Sequence, residues 1–166
     1  METITHNLIA IILQILCYRF FIFPFNILFT IIFAFLSHVI TDGIAVITYH
    51  TKEARKDDKF WVIWHIIIYA LSIISIIIFI IPFWLAIIFA NIMDLWDWFI
   101  LRPIQKRKKK KNPESKWGNN LYFHIIVDWF RDKFLYWLPR WNYIRSGIII
   151  EIFTIVITSL IIFFIL

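Results

Sequence analysis

Residues 60–101 read FWVIWHIIIYALSIISIIIFIIPFWLAIIFANIMDLWDWFIL. An apolar run of about 40 residues is twice what one membrane crossing needs, since about 20 helical residues span a hydrocarbon core. Pro82 stands at its middle, where the missing backbone donor breaks or kinks a helix. The run therefore predicts a helical hairpin turning near Ile81-Pro82, although no polar residue within it marks the turn. The whole chain agrees with a membrane reading. It has 166 residues, 61% hydrophobic and 20% aromatic, with mean hydropathy +0.79, whereas a soluble domain is about half apolar. The prediction is an all-α, polytopic helical membrane bundle of about four to five membrane segments, one domain over residues 1–166. The single cysteine, Cys17, leaves no internal disulfide.

Upstream of the run, METITHNLIA has neither a basic region nor a small-residue cleavage pattern and is expected to be retained. Asn7 to Tyr18 is apolar except for Gln14. About 12 to 14 residues rise only about 20 Å, short of a core about 30 Å thick. Two readings stay open: a tilted short span with Arg19 snorkelling, or a re-entrant segment. Pro24 suits the first turn of a second helix reaching about Val46. Residues 50–59 are a mixed-charge loop. Downstream, residues 102–116 form a basic loop, RPIQKRKKKKNPESK, which the positive-inside rule places in the cytoplasm at a cell membrane. Its expected partners are anionic lipid headgroups. No nucleic acid is expected, because no aromatic interleaving or binding motif accompanies the charge. Residues 118–137 read as an amphipathic interfacial helix with Leu121, His124, Ile125, Asp128, Trp129 and Asp132 on one side. Gly147 to Leu166 is a last span, with Glu151 one turn inside it.

Three stretches carry ionisable side chains where burial in hydrocarbon is expensive. LSHVITDGIAVITYH (36–50) holds His38 and Asp42 at i,i+4, followed by His50. NIMDLWDW (91–98) holds Asp94 and Asp97 at i,i+3. FHIIVDWF (123–130) holds His124 and Asp128 at i,i+4. Such pairs can share a helix face. Counted inward from the flanking bases, His65 and both NIMDLWDW acids lie about 8 to 12 Å deep at one end of the bundle, and Asp42 lies at a similar depth if the chain after it is partly unwound. The interfacial helix would bring His124 and Asp128 to the same layer. Clustered carboxylates repel unless a cation or shared proton intervenes. Mixed imidazole and carboxylate sets suit Zn²⁺, Mn²⁺ or Fe²⁺, and a carboxylate-rich subset suits Mg²⁺.

These motifs resemble the LSH-x-x-x-D…H, PD-x-x-D and late H-x-x-x-(H/D) segments of small prokaryotic membrane proteins, among them the inner-membrane metal-dependent hydrolases. The resemblance covers roughly residues 30 to 135. It departs at Met93, where the pattern has proline, lacks a proline between Ile44 and Thr48, and lacks the HRG-x-TH element. It implies a helical membrane bundle with candidate metal ligands at His38, Asp42, His50, Asp94, Asp97, His124 and Asp128.

The expectation is a membrane-embedded hydrolase of a phosphoester or other ester, a lipid among the candidates, at the cytoplasmic leaflet. His38, Asp42, Asp94, Asp97, His124 and Asp128 would bind one or two metals. His50 or His65 would be the general base or an outer-shell group. The alternative is a non-catalytic scaffold or a small ion or proton carrier. Each feature also has a plainer reading: His38 with Asp42 as a helix-end pair, His65 as an interfacial histidine, His124 with Asp128 as a wet helix face, and Glu151 as a partner of Arg145.

Overall fold

The computed structural model describes residues 1–51, 55, 57–112 and 123–166. Six α-helices account for most of them: α1 (Thr3–Phe20), α2 (Phe25–Ile44), α3 (Lys59–Asp94), α4 (Arg102–Lys111), α5 (His124–Phe134) and α6 (Gly147–Ile165). A 3₁₀ turn at Ala45–Ile47 follows α2, and a π-helical segment at Leu95–Leu101 joins α3 to α4. No strand occurs among the described residues. Among the described residues, four helical runs are long and apolar enough to cross a membrane.

The predicted hairpin is present. Helical geometry in α3 breaks at Phe83 (φ −126°, ψ 28°), directly after Pro82. In a straight helix Ser75 and Asn91 would stand about 24 Å apart. Both instead touch one side chain: Asn7 Nδ2 donates to Ser75 Oγ at 2.9 Å, and Asn91 Nδ2 donates to Asn7 Oδ1 at 2.7 Å. The two limbs of α3 therefore run side by side against α1. The polar residue that holds the turn lies in another helix. Gln14 donates from Nε2 to the Pro82 carbonyl and accepts the Ala86 N–H on Oε1. It satisfies backbone groups that the break at proline sets free.

Small residues let these helices approach. Ala10 of α1, Ala34 of α2 and Ala86 and Ala90 of α3 form one fully buried cluster, the close contact on which helix association in lipid depends. A larger cluster joins Ile4, Leu8 and Ile11 to Trp64, Ile68, Phe83, Ile87 and Ile162. Gly147 opens α6 against the chain leaving α2. A Cβ there would stand 2.6 Å from the Tyr49 nitrogen and 2.7 Å from the Thr48 carbonyl carbon.

Three elements differ from the sequence expectation. The first helix is neither short nor re-entrant: it begins at Thr3 and runs 18 residues, about 27 Å. Its polar start, Thr5, His6 and Asn7, is buried because each side chain meets a partner from another helix. The basic segment is helical over Arg102–Lys111, with proline in its first turn where the missing N–H is tolerated; residues 113–116 lie outside the described residues. The helix expected at the interface is His124–Phe134, 11 residues, and residues 118–122 lie outside the described ones. It packs through Val127, with Phe123 and Phe130, on Val39 and Met93, so its inward side is not the one that carries Asp128 and Asp132.

Candidate metal centre

The three ionisable stretches meet at the end of the bundle where α1 and α6 begin and α2 ends. His38, Asp42, Asp94 and His124 each turn one ligand atom inward, and these atoms all lie within 4.8 Å of one another. Hydrogen bonding fixes how they meet. His38 Nδ1 is 2.5 Å from the Ala90 carbonyl. A carbonyl only accepts, so Nδ1 carries the proton, and the neutral ring presents an Nε2 lone pair. That atom lies 3.2 Å from Asp42 Oδ2, yet it makes no hydrogen bond.

His124 is held in the same way. Asp97, fully buried, accepts its Nδ1–H at 2.7 Å and the backbone N–H groups of His124 and Phe123 at 3.0 and 3.2 Å. The π-helical segment carries Asp97, and such segments re-aim side chains at functional sites. One carboxylate thus caps the start of α5 and orients its first ring. His124 Nε2 then faces Asp94 Oδ1 at 3.4 Å and Asp42 Oδ2 at 3.6 Å.

These separations have a meaning. Four N/O ligands on bonds of about 2.0–2.2 Å stand roughly 3.4 Å apart along the edges of a tetrahedron. The three contacts of 3.2, 3.4 and 3.6 Å fall around that value. The residues present fit a divalent cation held by imidazole and carboxylate. Side-chain exposure rises from 0% at His38 through 14% at Asp42 and 18% at His124 to 27% at Asp94, so the cluster has a floor and an open side. Burial alone would lower the His124 pKa. Hydrogen bonds with Asp42, Asp94 and Asp97 outweigh it and push the value up to about 10. Nε2 of His124 therefore carries either a proton or a cation at neutral pH.

The other expected site residues lie elsewhere. Asp128 is exposed and pairs with Arg131 at 2.5 Å. His50 Nδ1 lies 3.2 Å from Glu2 Oε1, and His65 Nε2 lies 4.0 Å from the same oxygen. The His65 ring stacks on Trp61. These two histidines form a neighbouring group around buried Glu2. Glu151 does not pair with Arg145, whose partner is Asp58. It accepts the Glu2 N–H and the Thr5 hydroxyl, a carboxylate at the N-terminus of α1, where the helix dipole favours it.

Sequence reasoning missed His6, which is 1% exposed. Its Nε2 stands 3.0 Å from Asp42 Oδ1, and its ring stacks on His38 at 4.2 Å. The Met1 nitrogen, an ammonium, lies 2.7 Å from that same oxygen. A signal existed in METITHN: five polar residues in the six after Met1, at i,i+3 and i,i+4 spacing if the helix starts at Thr3 instead of Asn7.

Comparisons with protein families, with curated proteins and with solved structures return no match.

Proposed function

We propose that this chain is a membrane-embedded, metal-dependent hydrolase acting on a phosphoester or other ester at the cytoplasmic leaflet, as its likeness to the inner-membrane metal-dependent hydrolases suggests. One observation carries the reading. His38 and His124 both spend Nδ1 on a protein acceptor and turn Nε2 toward Asp42 and Asp94, on a cluster that is closed below and open at Asp94. A structural metal site is closed by its protein ligands, whereas a catalytic one keeps a side free. A divalent cation held there supplies Lewis-acid polarisation of a phosphoryl or carbonyl oxygen and a water of lowered pKa. The chain's own contribution is positioning. Asp97 fixes the His124 ring, Ala90 fixes the His38 ring, and Asp94 stands at the mouth. His50 and His65, held at Glu2, take no part in gripping the ion.

The cytoplasmic assignment rests on α4. Its run of bases follows directly from the segment bearing Asp97, so the charge lies at the site's end of the bundle. A lipid substrate suits this depth. A cleft of about 140 Å³ at the end of α5 is lined by Val46, Arg131, Asp132, Tyr136 and Arg140; Arg131 is paired there with Asp128 and Asp132, so Arg140 is the base it would offer an anionic headgroup. Anionic lipids are also the partners proposed for α4.

A scaffold is the second reading. The cluster ties α2, the second limb of α3 and α5 together, as a structural ion would. The carrier reading is weaker, because the polar residues deeper in the bundle are saturated by one another.

The test is the metal content of detergent-purified protein beside the double variant Asp94→Ala, Asp97→Ala, followed by ester and phosphoester hydrolysis in vesicles. Stoichiometric metal lost in the variant, with hydrolysis in the parent alone, supports the enzyme. Metal without hydrolysis across both substrate classes favours the scaffold. No metal after refilling with Zn²⁺, Mn²⁺, Fe²⁺ and Mg²⁺ removes the reading.

A further inference from the structure

We propose that Asp42 bridges two cations, the second held between Asp42 Oδ1 and His6 Nε2; the inference rests on the reading of the four-residue cluster as a metal centre. The first cluster uses only one oxygen of this carboxylate, Oδ2, which faces His38 and His124. Oδ1 points the other way, toward α1, with His6 Nε2 at 3.0 Å.

The state of His6 follows from its neighbour. The Thr41 hydroxyl has one proton, and it lies 2.8 Å from the Ser37 carbonyl. Toward His6 Nδ1, also at 2.8 Å, the hydroxyl oxygen therefore accepts. Nδ1 carries the ring proton, and Nε2 of the neutral ring is a lone pair aimed at a carboxylate oxygen. Two lone pairs 3.0 Å apart repel unless something positive lies between them. Nε2 is buried and has no hydrogen-bond partner. This is the arrangement found at His38 on the other side of the same carboxylate, and the two rings stack face to face.

A positive group already stands at this oxygen. The Met1 ammonium approaches Oδ1 to 2.7 Å, so this oxygen is one that a cation occupies. A divalent ion there would take that place. Carboxylates that bridge ions about 3.5–4 Å apart are the usual frame of two-metal phosphoester and peptide hydrolysis.

The experiment loads the detergent-purified full chain with Mn²⁺, counts ions per chain by elemental analysis and records the electron paramagnetic resonance spectrum. The expected result is two ions per chain with the signal of an exchange-coupled pair. His6→Ala should hold one ion with the six-line signal of isolated Mn²⁺. Thr41→Val, which leaves His6 in place without its hydroxyl partner, should weaken only the second ion, by about 10–100-fold. One uncoupled ion per chain in the parent overturns the proposal and leaves the first centre standing, with the Met1 ammonium as the resident charge. Two ions retained in His6→Ala overturn it as well. No ion in the parent removes both readings together. The parent spectrum decides the question even where His6→Ala does not fold.

Discussion

His6 and Asn7 are neighbours on α1, and the two buried polar networks that begin at them behave in opposite ways. From Asn7 the hydrogen bonds run to closure. Its amide donates to Ser75, the Ser75 hydroxyl donates to the Ser72 carbonyl, and Asn91 gives one proton to Asn7 and one to the Ile87 carbonyl. Amides and hydroxyls are donors and acceptors at once, so they saturate one another and bind helices together. From His6 the chain of donors leads away from the cluster, through Thr41 to Ser37, and Nε2 of His6 and of His38 face Asp42 without a hydrogen-bond partner. Neutral imidazoles whose Nδ1–H is spent have nothing left to donate, and the protons that do reach this carboxylate come from the Met1 ammonium and the His124 ring. The first network is complete within the protein, and the second is a group that could hold a cation.

The largest expected effect is at the shared carboxylate. Asp42 faces His6, His38 and His124, so Asp42→Asn should lower metal affinity by far more than the about 100-fold that marks the loss of an outer-shell partner. Stoichiometric metal in that variant would break the contrast outright. Asp97→Asn is next. It touches no ligand atom, only the ring proton and two amides behind His124, so affinity should fall by about 10–100-fold while saturating stoichiometry stays the same. Competition against a coloured chelator reads both.

The pH response comes third. The His124 pKa is raised to about 10, so in the ion-free protein the ring stays protonated well above neutrality and an entering ion must displace that proton. Affinity should therefore rise by about tenfold per pH unit from pH 7 to 9. The sign is opposite for the ion-free fold. The charged ring stabilises it fully below about pH 6.5, and this contribution is lost as pH rises through about 10. A flat affinity profile would mean that His124 is not a ligand.

Ser75→Ala probes the other network. It leaves an Asn7 donor unpaired inside the bundle and should cost roughly 0.6 to 1.7 kcal/mol, from the average to the maximum measured for hydrogen bonds between helices in lipid. Metal content should not change. A loss of metal in this variant would show that the two networks are one.

Much of the fold was legible because length and proline act locally. A 42-residue apolar run with Pro82 at its centre had to fold back, since one crossing uses about half of it. What held the turn was not legible, because Gln14 lies 68 residues away in sequence. The same limit applied to the cluster. Depth counting brought His65, Asp94, Asp97 and Asp42 to one layer, since depth follows from helical rise, and the helix expected at the interface added His124 and Asp128. Depth says nothing about rotation about the helix axis. Asp97 sits in a π-helical segment that the i,i+3 rule does not anticipate, and it turns behind His124 instead of beside Asp94. His6 was passed over because polar residues next to an apolar run look like a solvated end until something buries them.

Asp128 carries the smallest expected effect and sharpens the comparison most cheaply. Its spacing to His124 is the same i,i+4 that joins His38 to Asp42, yet only the second pair converges. His38 and Asp42 lie within a helix packed on both sides by α1 and α3, so a shared face is a buried face. His124 is the first residue of α5, turned in by Asp97, and one turn later the helix presents Val127 to the bundle and Asp128 to the outside. There Asp128 meets Arg131 and is 57% exposed, and an exposed ion pair contributes little. Asp128→Asn should leave metal stoichiometry unchanged and alter stability by no more than about 0.5 kcal/mol, read by elemental analysis and a thermal melt. A measurable loss of metal would place α5 in a different rotation and bring Asp128 back among the ligands.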